Sequence, residues 1–229
     1  MTALTRMRLA AFVRTGRAYA PLIAGLVVLG VLHGGGAAQA AEAYGVSAVV
    51  LFPVLAWQTK LLLDAEPDLQ RRLALVAAGP GRELAAGLLA GALAGAATVV
   101  IGLLSPWLVG GITGPREPGD LPLGEGIALG VWAHLLALAA AVALGALASR
   151  AVTGSPRHGL VVLVGGAVAA LAFGMKASVA PWAVPPLMST ARALTGAPGA
   201  GTVAMLTLHA LAWAVLALAG YARLRRARR

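Results

Sequence analysis

Cysteine is absent from the chain. That excludes disulfides and thiolate metal sites, and it leaves the redox compartment unreadable. Charge is scarce as well: 11% of the 229 residues are charged, against 59% hydrophobic. Ordinary soluble domains carry about 25% charged residues, so the composition excludes that class and points to a membrane protein. Catalytic signatures are also missing. There is no HExxH, no GxSxG and no GxxxxGK[ST], so neither a metalloprotease, a serine hydrolase nor a phosphate-binding loop is expected. The four histidines lack ligand spacing, so no metal site and no cofactor are expected in this chain. A formal net charge of +10 could suggest nucleic acid. No basic face interleaved with stacking aromatics accompanies it, so no nucleic-acid partner is expected.

What is present is a set of six apolar segments, at about residues 21–38, 44–63, 83–110, 124–149, 158–175 and 201–224. A helix needs about 20 mostly apolar residues to cross a hydrocarbon core of ~30 Å. Fifteen of the 18 Lys and Arg residues fall on one side of these segments. Arg6, Arg8, Arg14 and Arg17 precede the first segment. Lys60, Arg71, Arg72 and Arg82 flank the second connection, Arg150 and Arg157 the fourth, and Arg223, Arg225, Arg226, Arg228 and Arg229 form the tail. The other side holds only Arg116, Lys176 and Arg192. Positive charge stays cytoplasmic. The expectation is an all-α, polytopic membrane protein with six spans, both termini cytoplasmic. It forms a single transmembrane domain over residues 1–229. Abundant alanine, glycine and arginine beside only two lysines suit a high-GC bacterial genome, hence a bacterial plasma membrane. The N-terminal arginines, the run 21–32 and Ala38-Gln39-Ala40 resemble a secretory leader. The basic stretch before the run is longer than leaders carry, and the segment is expected to stay.

Residues 2–19 read as an interfacial helix. Arg6, Arg14 and Arg17 share an arc of about 80°, with Leu4, Leu9 and Phe12 outside it and Arg8 the exception among them. Tyr19, Tyr44, Trp107 and Tyr221 fall at segment ends, where amphipathic rings prefer the headgroup level. Gly87, Gly91 and Gly95 recur at four-residue spacing, which allows another helix close approach. The connection after the second segment is the most polar stretch of the chain. Pro67 suits a first helical position and Gly79-Pro80 a stop. Between them Leu69, Leu73 and Val76 share one face, opposite a more polar face with Arg71. Such a helix either lies solvated on headgroups or docks a cytoplasmic partner, and the pattern leaves both open. Residues 177–200 should be external, yet they are largely apolar and rich in proline. That combination predicts a re-entrant or interfacial segment.

No Asp, Glu, Lys or Arg lies well inside a segment. Ion-coupled carriers keep such groups at depth, so coupling to an ion gradient is not expected. Any active transport would draw its energy from another chain. His134 and His209 should lie at similar depth, about 12–15 Å below the outer boundary. Trp132 and Trp213 are near them, and Trp57 and Gln58 lie deeper in the second span. These groups form either interhelical hydrogen bonds or the lining of a substrate path.

The order of parts resembles the permease subunits of type-2 ABC exporters over nearly the whole chain. The closest likeness is the run Trp57-Gln58-Thr59-Lys60, Ala65-Glu66-Pro67 and Ala78-Gly79-Pro80-Gly81-Arg82, similar to small actinobacterial permeases. The resemblance implies that residues 66–78 are the coupling helix, with Glu66, Asp68, Leu69, Arg71, Arg72, Leu73 and Val76 meeting an ATP-binding subunit. It makes 2–19 the elbow helix and 177–200 the external re-entrant helices. It implies two permeases, of the same or related kind, with two ATP-binding chains that hold the ATP and magnesium. The cargo would be an amphipathic small molecule, peptide or lipid. The chain departs from larger members in its short third connection and in lacking an extracellular domain. Two rival readings are an ATP-independent membrane scaffold or immunity protein, and a proton-coupled carrier using His134 and His209.

Overall fold

The computed structural model describes residues 1–115, 117 and 119–228, with Asp68 described by its backbone alone. Arg116 and Arg229, which enter the charge count, lie outside the described residues, as does the side chain of Asp68. The helices are α1 (Thr2–Arg14), α2 (Tyr19–His33), α3 (Ala40–Leu63), α4 (Asp68–Ala78) and α5 (Pro80–Leu108). They continue as α6 (Leu123–Leu147), α7 (Arg150–Thr153), α8 (Pro156–Phe173), α9 (Leu187–Ala193) and α10 (Ala200–Ala227). A two-residue strand, Ala38–Gln39, pairs in parallel with Ile112–Thr113. The chain is therefore all-helical but for this short pairing. Five helical stretches are long and apolar enough to cross a membrane: α3, α5, α6 continued into α7, α8 and α10. The pair α1–α2, bent by 73°, makes a sixth when counted together.

The first apolar segment differs from expectation. A helix through residue 38 was predicted, but α2 ends at His33. Gly34, Gly35 and Gly36 follow, and Gly36 has a φ of +134° that side-chain-bearing residues rarely adopt. At 1.5 Å per residue the 15 residues of α2 span about 22 Å, short of a ~30 Å core.

At the centre α3 lies along α6. Leu51, Phe52 and Leu55 of α3 are fully buried against Ala137, Ala140 and Ala141 of α6. The run of alanines lets the two backbones approach, which is how helices associate where the surrounding lipid is as apolar as leucine. Two glycines of α6 mark the closest passages. A Cβ at Gly145 would sit 2.5 Å from the Ala56 carbonyl oxygen, and one at Gly130 would overlap the Tyr44 ring. The α5 glycines are similarly placed: Gly87 faces Arg8 and Leu63, Gly91 faces Thr59, and Gly95 faces Leu138 and Leu55. The central helices are 61% buried over their apolar windows, whereas α8 and α10 are 22% and 17% buried. The two outer helices thus present apolar faces outward, as lipid-facing helices do.

The aromatic residues divide. Tyr19 and Trp107 are exposed, but Tyr44 and Tyr221 are each 1% exposed and belong to the core. The tyrosine hydroxyls explain this: Tyr44 donates to the Leu103 carbonyl at 2.8 Å and accepts from Trp107 at 2.7 Å, while Tyr221 accepts from Arg225.

Replacing Gly145 with leucine should destabilise the α3–α6 core by about 1–3 kcal/mol. Gly165→Leu on α8, where no atom lies within 4 Å of the added Cβ, should be nearly neutral. Thermal melts of the two variants in one detergent compare them directly.

Candidate functional site

The two ends of the chain meet at Glu83, which opens α5 one turn after Gly79. Gly79 has φ +81° and ψ 161°, a conformation open to glycine. It breaks α4 from α5, and Pro80 then starts α5 where a missing N–H costs nothing. This turn aims Glu83 inward, and its side chain is 0% exposed. One carboxylate oxygen accepts from Arg8 of α1 and the other from Arg225 of α10, the latter at 2.5 Å. Arg8 Nη1 donates to the Glu83 carbonyl at 2.9 Å, and Nη2 also reaches Glu66 at 2.6 Å. Arg225 Nη1 donates to the Tyr221 hydroxyl at 2.9 Å. All four charged residues are buried.

Two guanidiniums and two carboxylates balance in charge, which is the condition for keeping them out of water. Each bond is charge-assisted and stronger than a neutral one. The match is incomplete at one place. Arg8 Nε and Glu66 Oε1 are buried without a hydrogen-bond partner. Glu66 is thereby the most weakly held member of the cluster.

Glu66 and Glu83 bracket α4, so Arg8 pins both ends of that helix. Pro67 and Gly79 cap it. Ala74 faces inward at 6% exposed, and Gln70 reaches Met7 of α1. The apolar face predicted from the sequence turns the other way: Leu69, Leu73 and Val76 are 71%, 62% and 88% exposed. Arg72 is exposed beside them, and Arg71 is half-buried on the inward side. Of the residues expected to meet a partner, Glu66 faces the chain's own interior.

A second polar knot lies at the same end of the bundle. Lys60 binds Asp64 at 2.7 Å, Asp64 accepts from the Arg150 N–H at 2.7 Å, and Arg17 donates to the Asp64 carbonyl at 2.9 Å.

The candidate path residues do not converge. His134 is 0% exposed between α3 and α6. Its Nδ1 lies 2.8 Å from the Gly130 carbonyl, which can only accept, so Nδ1 carries a proton, and Nε2 lies 3.1 Å from the Ser47 hydroxyl. The Tyr44 ring packs edge-on against it. Gln58 accepts from Thr98 and donates to the Ala94 carbonyl of α5. Trp132 donates to Thr207 of α10. His209 lies 3.2 Å from the Trp182 carbonyl, and Trp213 donates to that of Ala183. These last two side chains hold the short 3-10 turn Pro181–Ala183 onto α10. The turn and α9 belong to the segment predicted to be re-entrant. Val184, Leu187 and Leu194 of that segment are buried, and Leu194 packs on Gly45 of α3. Trp57 lines an apolar cleft of about 420 Å³ between α3 and α8. Among the described residues no group of three or more His, Asp or Glu side chains could hold a metal ion.

Sequence reasoning named Arg8, Arg225 and Tyr221 only as orientation or interface residues, and did not single out Glu83. Arg8 carried a signal, since it was the one arginine on the apolar side of α1. Comparison with protein families, with curated proteins and with solved structures gives no match.

Removing one member of the charge cluster leaves its partners buried and unbalanced. Arg8→Met should cost about 3–5 kcal/mol. Glu66→Gln, which gives up a single ion pair, should cost about 1–3 kcal/mol. Unfolding monitored by tryptophan fluorescence in detergent gives both values.

Proposed function

We propose that the chain is the membrane-spanning permease subunit of an ATP-driven ABC exporter, and that α4 is the surface on which an ATP-binding subunit docks. One observation carries the reading: α4 turns Leu69, Leu73 and Val76 away from its own chain while both its ends are fixed. A helix with no partner would be expected to bury that face and expose Arg71. The observed orientation suits a short amphipathic helix that seats its apolar face in another protein's groove, with rim charge from Arg72 setting register.

In this reading the end of the bundle that carries α4 and both termini is cytoplasmic, as the distribution of arginine favours. The membrane is the bacterial plasma membrane. Two permease chains and two ATP-binding chains assemble, and the ATP and magnesium belong to the latter. The outward apolar faces of α8 and α10 supply surface for a second permease copy as well as for lipid. An amphipathic small molecule, peptide or lipid is the cargo class, and the apolar cleft at Trp57 suits its apolar part. A proton-coupled carrier using both histidines would need His134 and His209 near one another. Each is instead bonded to a different part of the bundle, which favours the exporter.

Movement of the ATP-binding subunits would act on α4, and Arg8 and Glu83 would pass it to α1, α5 and α10. Replacing Leu69 and Leu73 with aspartate should remove most of the docking while leaving insertion intact, because no spanning helix is touched. Exchanging Arg72 for glutamate should weaken docking far less, since exposed ion pairs are worth under about 1 kcal/mol. The measurement is recovery of an ATP-binding chain with the tagged permease from solubilised membranes of the native host. Undiminished recovery with Leu69→Asp/Leu73→Asp places docking elsewhere. A chain that purifies alone in every case, as a stable oligomer, supports the scaffold reading instead.

A further inference from the structure

The arginines of α1 divide between its two faces. Arg8 turns inward to Glu66 and Glu83, whereas Arg6 and Arg14 stand exposed. Neither Arg6 nor Arg14 forms an ion pair with a described residue. Both line a cleft of about 570 Å³ between α1 and α5. Its walls are Leu9, Ala10 and Val13 of α1 with Leu89 and Leu93 of α5. No acidic side chain lines it among the described residues. The cleft is held in shape from the other face of α1, where Arg8 is bonded to Glu83 and Phe12 packs among Leu62 and Ala90. Eight residues, about 12 Å along the helix, separate Arg6 from Arg14. The two long side chains bracket the cleft, with stems free to cover apolar surface and charged heads at its rim.

We propose that this cleft seats an anionic phospholipid, with an acyl chain between α1 and α5 and the headgroup phosphate against Arg6 and Arg14. The inference rests on the chain lying in a membrane, for which it has long apolar helices, and is independent of the exporter reading. Charge and shape select the same occupant. A free anion would meet two guanidiniums but also five apolar side chains that offer it no hydrogen bond. A neutral apolar chain would fill the cleft and leave both guanidiniums unanswered. An acidic lipid answers both, since planar guanidiniums match phosphate oxygens in pairs. The cleft also continues into an apolar stripe. Leu89, Leu93, Val100 and Leu104 are exposed on α5 within an arc of about 60° and over about 22 Å of helix. That length exceeds half of a ~30 Å hydrocarbon core, so a chain seated at Leu89 has apolar surface to the midplane. The 73° bend between α1 and α2 sets α1 across the direction of α2. Helices that lie in this way along a bilayer surface draw in anionic lipid through Lys and Arg.

The test is native mass spectrometry of the purified full chain, titrated with phosphatidylglycerol, phosphatidylcholine or inorganic phosphate. Phosphatidylglycerol should bind in preference to phosphatidylcholine, and millimolar phosphate should not displace it. Arg6→Gln with Arg14→Gln should raise the phosphatidylglycerol concentration for half-occupancy about 30-fold, roughly fivefold for each basic group removed. The charge-matched pair Arg157→Gln/Arg226→Gln, at exposed positions outside the cleft, should leave it unchanged. Ala10→Phe, which fills the cleft and keeps every charge, should lower occupancy as well. A melt of each variant establishes that it folds. Undiminished binding by Arg6→Gln/Arg14→Gln overturns the site, and equal loss in both pairs reduces it to net charge. Undiminished binding by Ala10→Phe overturns the seat for the acyl chain. Displacement by inorganic phosphate, without preference between the lipids, assigns the arginines to a free phosphate and overturns the lipid source. Absence of any retained lipid also overturns the proposal and leaves the cleft to a second copy of the chain or to another protein.

Discussion

A carboxylate that leaves water needs its charge answered at once, and Glu83 is answered from both ends of the chain. Arg8 comes from the first helix and Arg225 from the last, so neither can be placed until the other helices have assembled around α5. The cost of burying four ions is recovered only when all four are in register. That requirement fixes more than stability. It sets the termini at one end of the bundle, closes the elbow between α1 and α2 over α5, and holds the start of α4 through Glu66.

The remainder of the fold is softer in character. Along α3 and α6 the contacts are alanine, glycine and leucine, with close backbone approach and few polar bonds. Dispersion forces act there without direction, and only local close passages such as those at Gly130 and Gly145 oppose sliding by a turn. The buried polar groups prevent this at separate depths: the ion cluster at one end, Gln58 with Thr98 in the middle, and His134 with Ser47 and Tyr44 toward the other. On this account His134 and Gln58 lock register. His209 and Trp213 fix the apolar turn at Pro181–Ala183 to α10 in the same manner.

The parts legible in the sequence are those written in composition and local spacing. Apolar runs of sufficient length revealed helices long and apolar enough to cross a membrane, and Pro67, Gly79 and Pro80 bounded α4 because each acts on its own backbone. The length of α2 was overestimated because a hydropathy reading treats Gly34–Gly36 as apolar, although their backbone freedom ends the helix. The ion cluster was hidden for another reason. Its ion pairs join residues 58 to 142 positions apart, and in a list of arginines that follow the inside-positive bias, Arg8 and Arg225 look like orientation signals. Charge asymmetry and a buried pair use the same residue at the same depth. The orientation of α4 was equally out of reach, since periodicity finds an apolar face without saying whether it points toward the chain or away. Tyr44 and Tyr221 were placed at the headgroups by position, and only the partners of their hydroxyls put them in the core.

The central claim is that Glu66, Arg8, Glu83 and Arg225 act as one unit joining α4 to α10. Glu66 and Arg225 are not bonded to each other, so independence is the simple expectation for them. A double-mutant cycle of Glu66→Gln and Arg225→Met, read by unfolding free energy in detergent, separates the cases. Transmission through Arg8 and Glu83 predicts an interaction energy of about 0.5–3 kcal/mol. Additivity of the two substitutions within about 0.3 kcal/mol would mean that the pairs are separate and that α4 has no ionic connection to the last helix.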